Sequence, residues 1–326
     1  VVNDSDLQTQ KYRVFNYASE LAKHNVRSVI VREAELNGVD PAGYDIVVFN
    51  RIAANDRTVA LARRCKELAI PTRYDVDDLV FDADRLSLLR FTSSLSADEF
   101  KLFRDGCVLR RELMLACDVA TVSTAELARE VRALGMAAYV LPNTIGREDF
   151  ETFAEARPLR QMSKQAKVRI AYFSGTRTHA HDFACCSAAL ARVLRENANA
   201  ELMIVGELDL PADFDDLKDR LLIRPLMTHA EMLRVLADVD INLAPLELGN
   251  PFTACKSELK IFEAALLAIP SVASPTPAFA AIIQHGESGM LAAGEDEWVA
   301  GITQLVKDPA LRRRVGDAAK ARIVPR

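Results

Sequence analysis

The 326-residue sequence contains little glycine. Its 13 glycines make up about 4% of the chain, whereas soluble proteins average about 7%. No G-x-G-x-x-G follows a strand-like run and no G-x-x-x-x-G-K-[ST] occurs, so the usual glycine-rich loops for dinucleotides and nucleoside triphosphates are missing. G-x-S-x-G and H-E-x-x-H, typical of serine hydrolases and zinc proteases, are absent as well. Any phosphate bound by this chain must therefore be held by helix N-termini and side chains.

An excess of positive charge is also lacking. The chain has 41 Lys and Arg against 46 Asp and Glu, a net charge of −5, which argues against nucleic acid as a partner. No run approaches the roughly 20 apolar residues that span a bilayer. Because half of the residues are apolar, the chain can still bury sizeable cores.

The six cysteines show no C-x-x-C spacing and lie in apolar or helical segments. This pattern predicts reduced thiols rather than disulfides, and hence a cytoplasmic protein. The chain starts at Val1 with no visible signal peptide, so we expect a piece of a longer protein whose first strand is truncated.

Short apolar, β-branched runs alternate with helical patterns along the chain. In the first half, the predicted strands are Val26–Val31, Asp45–Phe49, Pro71–Tyr74, Val119–Val122 and Ala138–Leu141, separated by helices at Val14–Lys23, Arg57–Leu68, Ala97–Ala116 and Thr124–Leu134. In the second half, the predicted strands are Val168–Phe173, Leu202–Val205, Leu221–Ile223, Ile241–Ala244, Ser271–Ala273 and Met290–Ala292. The helices between them are Asp182–Arg195, Ala230–Ala237, Ala254–Ala268, Glu297–Val306 and Ala310–Arg322. Such alternation is typical of α/β proteins with parallel sheets covered on both faces.

A polar, strand-free segment at Phe150–Lys167, which contains Pro158, divides this pattern into two halves. We therefore predict two Rossmann-like, doubly wound parallel-sheet domains, 1–155 and 156–326, each of ordinary domain size. The last helix is a candidate for return to the first domain.

The most informative segment is the predicted helix Ala254–Ala268. At 100° per residue, Lys256, Lys260 and Glu263 fall within about 60° of one another on a helix that is otherwise mostly apolar. One interpretation is a solvated stripe stabilised by a Lys260–Glu263 pair. The interpretation we favour places a diphosphate near the helix N-terminus and a sugar diol on Glu263, because a carboxylate accepts from two hydroxyls and an ammonium neutralises phosphate.

The stretches PFTACKSELKIFEAALLAIPSVASPTPAF and IIQHGESGMLA resemble the C-terminal nucleotide-sugar domain of group 1 glycosyltransferases, family 4. YFSGTRTHAHDF and MIVGEL resemble the first two strands of that domain, and LPNTIGREDF resembles the element that closes the N-terminal domain. The resemblance is dense over about residues 168–306 and thinner over 1–150. It implies the GT-B fold, with two domains facing across a cleft, the acceptor in the first half and the nucleotide-sugar donor in the second.

The resemblance also implies roles for individual residues. Glu263 would hold the donor's ribose, and Arg177 and Lys256 would neutralise the leaving diphosphate. The family's first glutamate falls at Cys255 in this chain, so Thr253, Ser257 or Glu258 would take its place, or the donor is a deoxyhexose that needs fewer partners. The remaining donor contacts that we expect are Gly175, Thr176, His179, Ile223, Pro225, Phe252 and Lys260.

Two histidine clusters have simpler interpretations. His179 and His181 could form an H-x-H metal site, but no cysteine or further histidine lies near them, so we favour His179 as a diphosphate contact and Asp182 as a helix cap. We expect His229 to cap the following helix together with Thr228.

A D-x-D-D sequence follows the predicted strand Pro71–Tyr74. In a rival, single-domain glycosyltransferase fold, such aspartates hold a divalent metal. Because the chain divides into two parallel-sheet halves, we assign Asp75, Asp77 and Asp78 to the acceptor side, at the carboxyl edge of the sheet. Solvated loop carboxylates remain the alternative for this segment. Arg13 is either another cleft residue or an ordinary surface arginine.

The resemblance implies a retaining, hexosyltransferase-type glycosyltransferase. Its donor would be a nucleoside-diphosphate sugar and its acceptor a glycan or lipid-linked glycan, in surface polysaccharide biosynthesis. The resemblance implies neither cofactor nor metal ion, and it is compatible with peripheral association at the cytoplasmic face of a membrane. Two alternatives stay open: a nucleotide-sugar epimerase of the same architecture, and a non-catalytic sugar-nucleotide-binding module of a larger protein. The residues identify neither the base nor the sugar nor the acceptor.

Overall fold

The computed structural model describes residues 1–2, 7–162, 167–175 and 180–324. They form two compact units, one of residues 1–147 with 255–257 and the other of residues 148–254 with 258–326. The first contains a four-stranded sheet and the second a six-stranded sheet, and every strand pair is parallel. The α/β prediction is therefore confirmed. The predicted division between residues 155 and 156 falls inside a helix, Arg147–Met162.

The sheet of the first unit has the order β1-β2-β3-β4. Its strands are β1 (Val47–Asn50), β2 (Thr72–Val76), β3 (Val119–Val122) and β4 (Ala138–Val140). Its helices are α1 (Leu7–Gln10), α2 (Asn16–Ala22), α3 (Asp56–Glu67), α4 (Ala97–Ala116) and α5 (Ala125–Ala133), and the π-helical segment Lys11–Phe15 joins α1 to α2. Side-chain caps start the later helices: Asn55 for α3, Ser96 for α4 and Thr124 for α5.

The predicted strand Val26–Val31 is wrong. This segment contains no strand; its last residue, Val31, accepts a hydrogen bond from the N–H of Val2 at 3.0 Å, and Arg32 forms an isolated bridge with Val2. Val2 also bridges Asn50, so the first residues of the chain occupy the position next to β1. The apolar side chains Val26, Val29 and Ile30 are exposed.

The six-stranded sheet of the second unit has the order β10-β9-β8-β5-β6-β7. Its strands are β5 (Val168–Gly175), β6 (Ala200–Gly206), β7 (Leu221–Arg224), β8 (Ile241–Ala244), β9 (Ser271–Ala273) and β10 (Met290–Leu291). The remaining helices are α6 (Arg147–Met162), α7 (Ala180–Glu196), α8 (His229–Leu236), α9 (Pro251–Ala254), α10 (Leu259–Leu266), α11 (Pro277–Ile282), α12 (Glu295–Lys307) and α13 (Pro309–Ile323). Among the described residues, no helix combines the length and the apolar content that crossing a membrane requires.

The central strands of this sheet are buried on both faces, as their mostly apolar sequences predict. All four residues of β8 and all three of β9 are buried. The core between this sheet and its helices is built around Tyr172, Phe183 and Trp298, each at most 1% exposed. α13 packs against α10 and α12 within the second unit. Gly316 permits this contact, since a Cβ there would lie 2.1 Å from the carbonyl oxygen of Ala268.

The predicted helix Ala254–Ala268 is interrupted. Helix α9 ends at Ala254, residues 255–258 are not helical, and α10 begins at Leu259. The hydroxyl of Thr124 donates to the carbonyl oxygen of Cys255 at 3.0 Å, and Asn143 Nδ2 donates to Ser257 Oγ at 2.9 Å. Thr124 and Asn143 of the first unit thus form hydrogen bonds with residues of the segment 255–257. The helical periodicity of the sequence does not reveal these bonds.

Candidate functional site

The strand order of the second unit places a crevice at one point of its sheet. From β5 the chain proceeds outward through β6 and β7, then returns to the other side of β5 and proceeds through β8, β9 and β10. In open α/β sheets, ligands bind outside the carboxyl ends of the strands at such a switch point. The carboxyl end of β5 and the segment after β8 therefore border the candidate site.

Glu247, three residues after β8, is held by its surroundings at this point. Its N–H donates to Asp182 Oδ1 at 3.3 Å, and its carboxylate accepts from Asn250 Nδ2 at 3.1 Å. The hydroxyl of Thr253 donates to the carbonyl oxygens of Glu247 and Asn250. The sequence analysis missed Glu247. The signal that could have found it is an acidic residue three positions after the fully buried strand β8, at the edge where α/β sites form.

Lys260, on α10, fixes the end of β5. Its Nζ donates to the carbonyl oxygen of Phe173 at 2.9 Å and lies 4.7 Å from the centre of the Tyr172 ring. A cation over an aromatic face is stabilised by the negative potential of the ring. The ammonium therefore lies beside the carboxyl end of β5, whose last residue is Gly175.

Glu263 belongs to a chain of three ionisable side chains on three helices. His229 Nε2 lies 3.1 Å from Glu263 Oε1, and His229 Nδ1 lies 3.4 Å from Asp149 Oδ1. The side chains of Glu263 and His229 are 12% and 14% exposed, whereas that of Asp149 is 2% exposed. Thr228 caps α8 as predicted, but His229 turns to Glu263 instead of sharing that cap. The carboxylate of Glu263 therefore has a fixed orientation at a partly exposed position.

His229 lies between the carboxylates of Asp149 and Glu263, so the number of N–H groups on its ring decides how many of them it can donate to. A neutral imidazole has one N–H and can donate to only one of the two, whereas an imidazolium donates to both. The two carboxylates face opposite nitrogens of the ring.

Within the described part of the chain, no three histidine, cysteine, aspartate or glutamate side chains converge as a metal ion would require.

Lys256 does not share a helix with Glu263, so the predicted three-charge stripe is wrong. Lys256 and Ser257 lie in the non-helical segment 255–257, which belongs to the first unit, and Lys256 is half-buried. Cys255 is 1% exposed, and burial raises the pKa of its thiol to about 12. A neutral thiol is a weak hydrogen-bonding group, so Cys255 does not replace the carboxylate that the resemblance implies at this position.

The other predicted donor contacts are placed as follows. Phe252 and Thr253 are buried in α9, and Glu258 precedes α10 without a capping bond from its side chain. Ile223 is 57% exposed in β7, and Pro225 follows that strand at an exposed position. Gly175 is the last residue of β5, and Thr176, Arg177 and His179 lie outside the described residues.

In the first unit, two of the predicted acceptor residues are internal. Arg13 is 4% exposed and Asp75 is 2% exposed, and they form an ion pair. Asp75 also accepts hydrogen bonds from Asn50 and Thr121. Both the surface-arginine and the solvated-loop interpretations are wrong for this pair, because Arg13 is buried in the π-helical segment Lys11–Phe15 and Asp75 is a buried residue of strand β2.

Asp77 and Asp78 lie closer to the surface, next to Arg51. Arg51 Nη1 donates to Asp77 Oδ1 at 2.9 Å and lies 3.7 Å from Asp78 Oδ2. These side chains are 13% exposed for Asp77 and 36% exposed for Asp78. The sequence analysis missed Arg51, which directly follows β1.

Comparisons with known proteins agree with this architecture. Residues 168–308 match the family described as Glycosyl transferases group 1. HepE of Anabaena, solved in complex with UDP, is similar with a TM-score of 0.61 and 15% identity, covering 95% of this chain and 85% of that one. Sucrose-phosphate synthase from Thermosynechococcus elongatus is similar with a TM-score of 0.56 and 14% identity, covering 86% and 69%. A comparison with proteins of curated function finds no match.

A third structure is that of S. aureus TarM, solved with fondaparinux, alpha-GlcNAc-glycerol and UDP. Its TM-score is 0.54 at 13% identity over 78% of this chain, which spans about half of the TarM chain, 48%. At such identities, the similarity shows the fold. The predicted GT-B fold and the predicted resemblance to group 1 glycosyltransferases are confirmed, while the assignment to family 4 stays a prediction.

Proposed function

Since residues 168–308 match the family described as Glycosyl transferases group 1, we propose that this chain transfers a sugar, with retention of anomeric configuration, from a nucleoside-diphosphate sugar to a glycan or lipid-linked acceptor. The observation that carries the proposal is the arrangement at Glu263. This carboxylate lies inside the matched segment, is partly exposed, and is oriented by His229. A carboxylate so held can accept hydrogen bonds from both hydroxyls of a ribose.

In the transfer, the bond between the anomeric carbon and the diphosphate oxygen breaks, and a bond from that carbon to an acceptor oxygen forms. The acceptor's hydroxyl proton leaves with the nucleoside diphosphate. Retention with no covalent protein intermediate requires donor and acceptor to meet on one face of the sugar. The protein then contributes positioning and charge stabilisation, with Arg177 and Lys256 proposed to neutralise the leaving diphosphate.

UDP is the first nucleotide to test, because HepE and TarM were solved with UDP. Calorimetry with UDP, GDP, dTDP and CDP should show one preferred nucleotide, and the corresponding sugar nucleotides are then assayed for turnover. A transferase consumes donor faster when a glycan acceptor is added. An epimerase would interconvert or release the donor sugar regardless of acceptor, and a non-catalytic module would bind donor without turnover.

We also propose that turnover needs no metal ion. Donor consumption measured with EDTA should then remain within about twofold of the untreated enzyme. A loss of activity that manganese restores would contradict this part of the proposal.

A further inference from the structure

The imidazole of His229, on α8, has a carboxylate oxygen in front of each of its nitrogens, and the two carboxylates belong to different helices. Asp149 lies in the first turn of α6, 3.4 Å from Nδ1, and Glu263 lies on α10, 3.1 Å from Nε2. Asp149 is buried and the other two side chains are at most 14% exposed, so water screens these contacts little.

Neither neutral form of the ring suits both carboxylates. With its proton on Nδ1, the ring donates to Asp149 and turns the lone pair of Nε2 toward Glu263. With its proton on Nε2, the ring donates to Glu263 and turns the lone pair of Nδ1 toward Asp149. A lone pair against a carboxylate oxygen at these distances is repulsive. The imidazolium donates at both nitrogens, so the arrangement matches the protonated ring.

Further charged side chains on these helices form contacts elsewhere. On α8, Glu231 completes the capping box at the start of the helix, and Arg234 lies 3.9 Å from Glu155 of α6, with both side chains more than half exposed. On α10, Lys260 donates to the carboxyl end of β5. The exposed charged residues of α6 before position 156 are Arg147, Glu148, Glu151 and Glu155.

We propose that Asp149 is a positioning residue that makes the orientation of Glu263 depend on a proton on His229, so that nucleoside diphosphate binding is regulated by pH. The imidazolium holds the Glu263 carboxylate where it accepts the ribose hydroxyls. When the proton is lost as the pH rises, one carboxylate faces a lone pair, the orientation of Glu263 is no longer fixed, and the nucleotide binds more weakly. The inference rests on the proposed glycosyl transfer, with Glu263 as the ribose contact, whereas the family resemblance assigns no role to Asp149.

Two variants distinguish this role from a structural one. In Asp149→Asn, the introduced amide donates to Nδ1, so the neutral ring donates to Glu263 through Nε2 and needs no further proton. His229→Gln removes the titrating ring. Glu155→Gln is the matched control, because it also neutralises a carboxylate of α6 that faces α8, but at an exposed position.

The measurement is the Kd, at pH 6.0, 7.0 and 8.5, of whichever of UDP, GDP, dTDP and CDP binds the wild type most tightly. Ionisation of the ligand's own phosphate is common to all proteins and cancels when they are compared. Relative to His229→Gln, the wild type and Glu155→Gln should lose about 10-fold in affinity between pH 6.0 and 8.5. Asp149→Asn should show no such loss and should bind about 10-fold more tightly than the wild type at pH 8.5.

A pH dependence shared by the wild type and His229→Gln, or retained in Asp149→Asn, would overturn the inference. Each variant decides by itself if urea unfolding shows that the other does not fold. The wild type alone gives a second test: calorimetry at pH 8.5 in buffers of different ionisation enthalpy should show net proton uptake on binding, and its absence would also overturn the inference. Absence of nucleotide binding at every pH would instead overturn the proposed function.

Discussion

The guanidinium of Arg13 and the carboxylate of Asp75 face each other through two parallel hydrogen bonds, Nε to Oδ2 at 3.0 Å and Nη2 to Oδ1 at 2.7 Å. Neither side chain is more than 3% exposed. Burial by itself would lower the pKa of Arg13, but the Asp75 carboxylate, together with the charges of Asp77 and Tyr17, raises it above its ordinary value. Arg13 also donates to the carbonyl oxygen of Leu141 and to Asn143 Oδ1. The pair thus joins the π-helical segment Lys11–Phe15 to β2 and to the residues that follow β4.

Removing one member of this pair should destabilise the protein strongly. Asp75→Asn leaves the charge of Arg13 buried without compensation, so we expect the free energy of unfolding in urea to fall by about 3–5 kcal/mol. The double variant Arg13→Met with Asp75→Leu should lose less than the sum of the two single changes. The exposed pair Lys23–Glu20 is the control, and Lys23→Ala should change stability by less than about 1 kcal/mol. A loss in Asp75→Asn as small as in that control would contradict a buried ion pair.

Glu263→Ala should weaken the binding of nucleoside monophosphate and diphosphate equally. The lost contact is to the ribose, which both ligands contain, and we expect a loss of about 1.5–3 kcal/mol, or about 10- to 150-fold in Kd by calorimetry. His229→Gln should weaken both ligands less, because it removes only the partner that orients Glu263. Glu155→Ala, which changes an exposed carboxylate on α6, is the control. A selective loss of diphosphate binding would show that Glu263 acts on the phosphates instead.

Alkylation should distinguish one of the six cysteines. Cys185 is exposed, whereas Cys65, Cys107, Cys117, Cys186 and Cys255 are buried, and burial raises the pKa of all five. Iodoacetamide reacts with accessible thiolates, so we expect mass spectrometry to find one adduct, on Cys185, in the native protein at pH 7.5. In concentrated urea all six should react. A second rapidly modified site in the native protein would show that one of the buried positions is open.

The stabilisation that the Asp118 carboxylate contributes should be present at neutral pH and lost at acidic pH. Its carboxylate accepts hydrogen bonds from the N–H of Thr72 at 2.7 Å and from the Thr72 hydroxyl at 2.8 Å, and these bonds lower its pKa despite partial burial. Since the folded pKa lies below the unfolded value of about 3.9, the stabilisation is complete above that value and disappears as the pH falls through the folded one.

Urea unfolding of the wild type and Asp118→Asn at pH 7, 5 and 3 measures this effect. The variant should be less stable at pH 7 and 5, and the difference should shrink at pH 3. Asp209→Asn, in an exposed loop, should show no such trend. A difference that stays constant across the three pH values would mean that the charge of Asp118 is not responsible.

The strands could be predicted because the sheets are parallel and buried. Short, mostly apolar runs predicted the observed bounds of Val119–Val122, Ile241–Ala244 and Ser271–Ala273. Val26–Val31 has the same composition but forms no strand, since pairing depends on which segment reaches the sheet edge, and Val2 lies there. Composition indicates that a segment tends to be buried, but it does not indicate which strand the segment pairs with.

The candidate site was predictable only in part for the same reason. Lys260 and Glu263 lie on α10 as their spacing indicates, but hydrogen bonds from Thr124 and Asn143 break the helix before them. Those residues are more than a hundred positions away in sequence, so helical periodicity could not include them. Arg51 was missed because nothing in its local sequence marks a left-handed backbone at an arginine.

The first unit is discontinuous in sequence, since it takes three residues, 255–257, from within the second half of the chain. A hybrid enzyme made by joining residues 1–147 of this protein to the second half of a relative would inherit those three residues from the other parent. Thr124 and Asn143 would then face a foreign tripeptide. Recombination that exchanges the first unit should therefore move residues 255–257 together with 1–147, as a single exchangeable block made of two stretches of the gene.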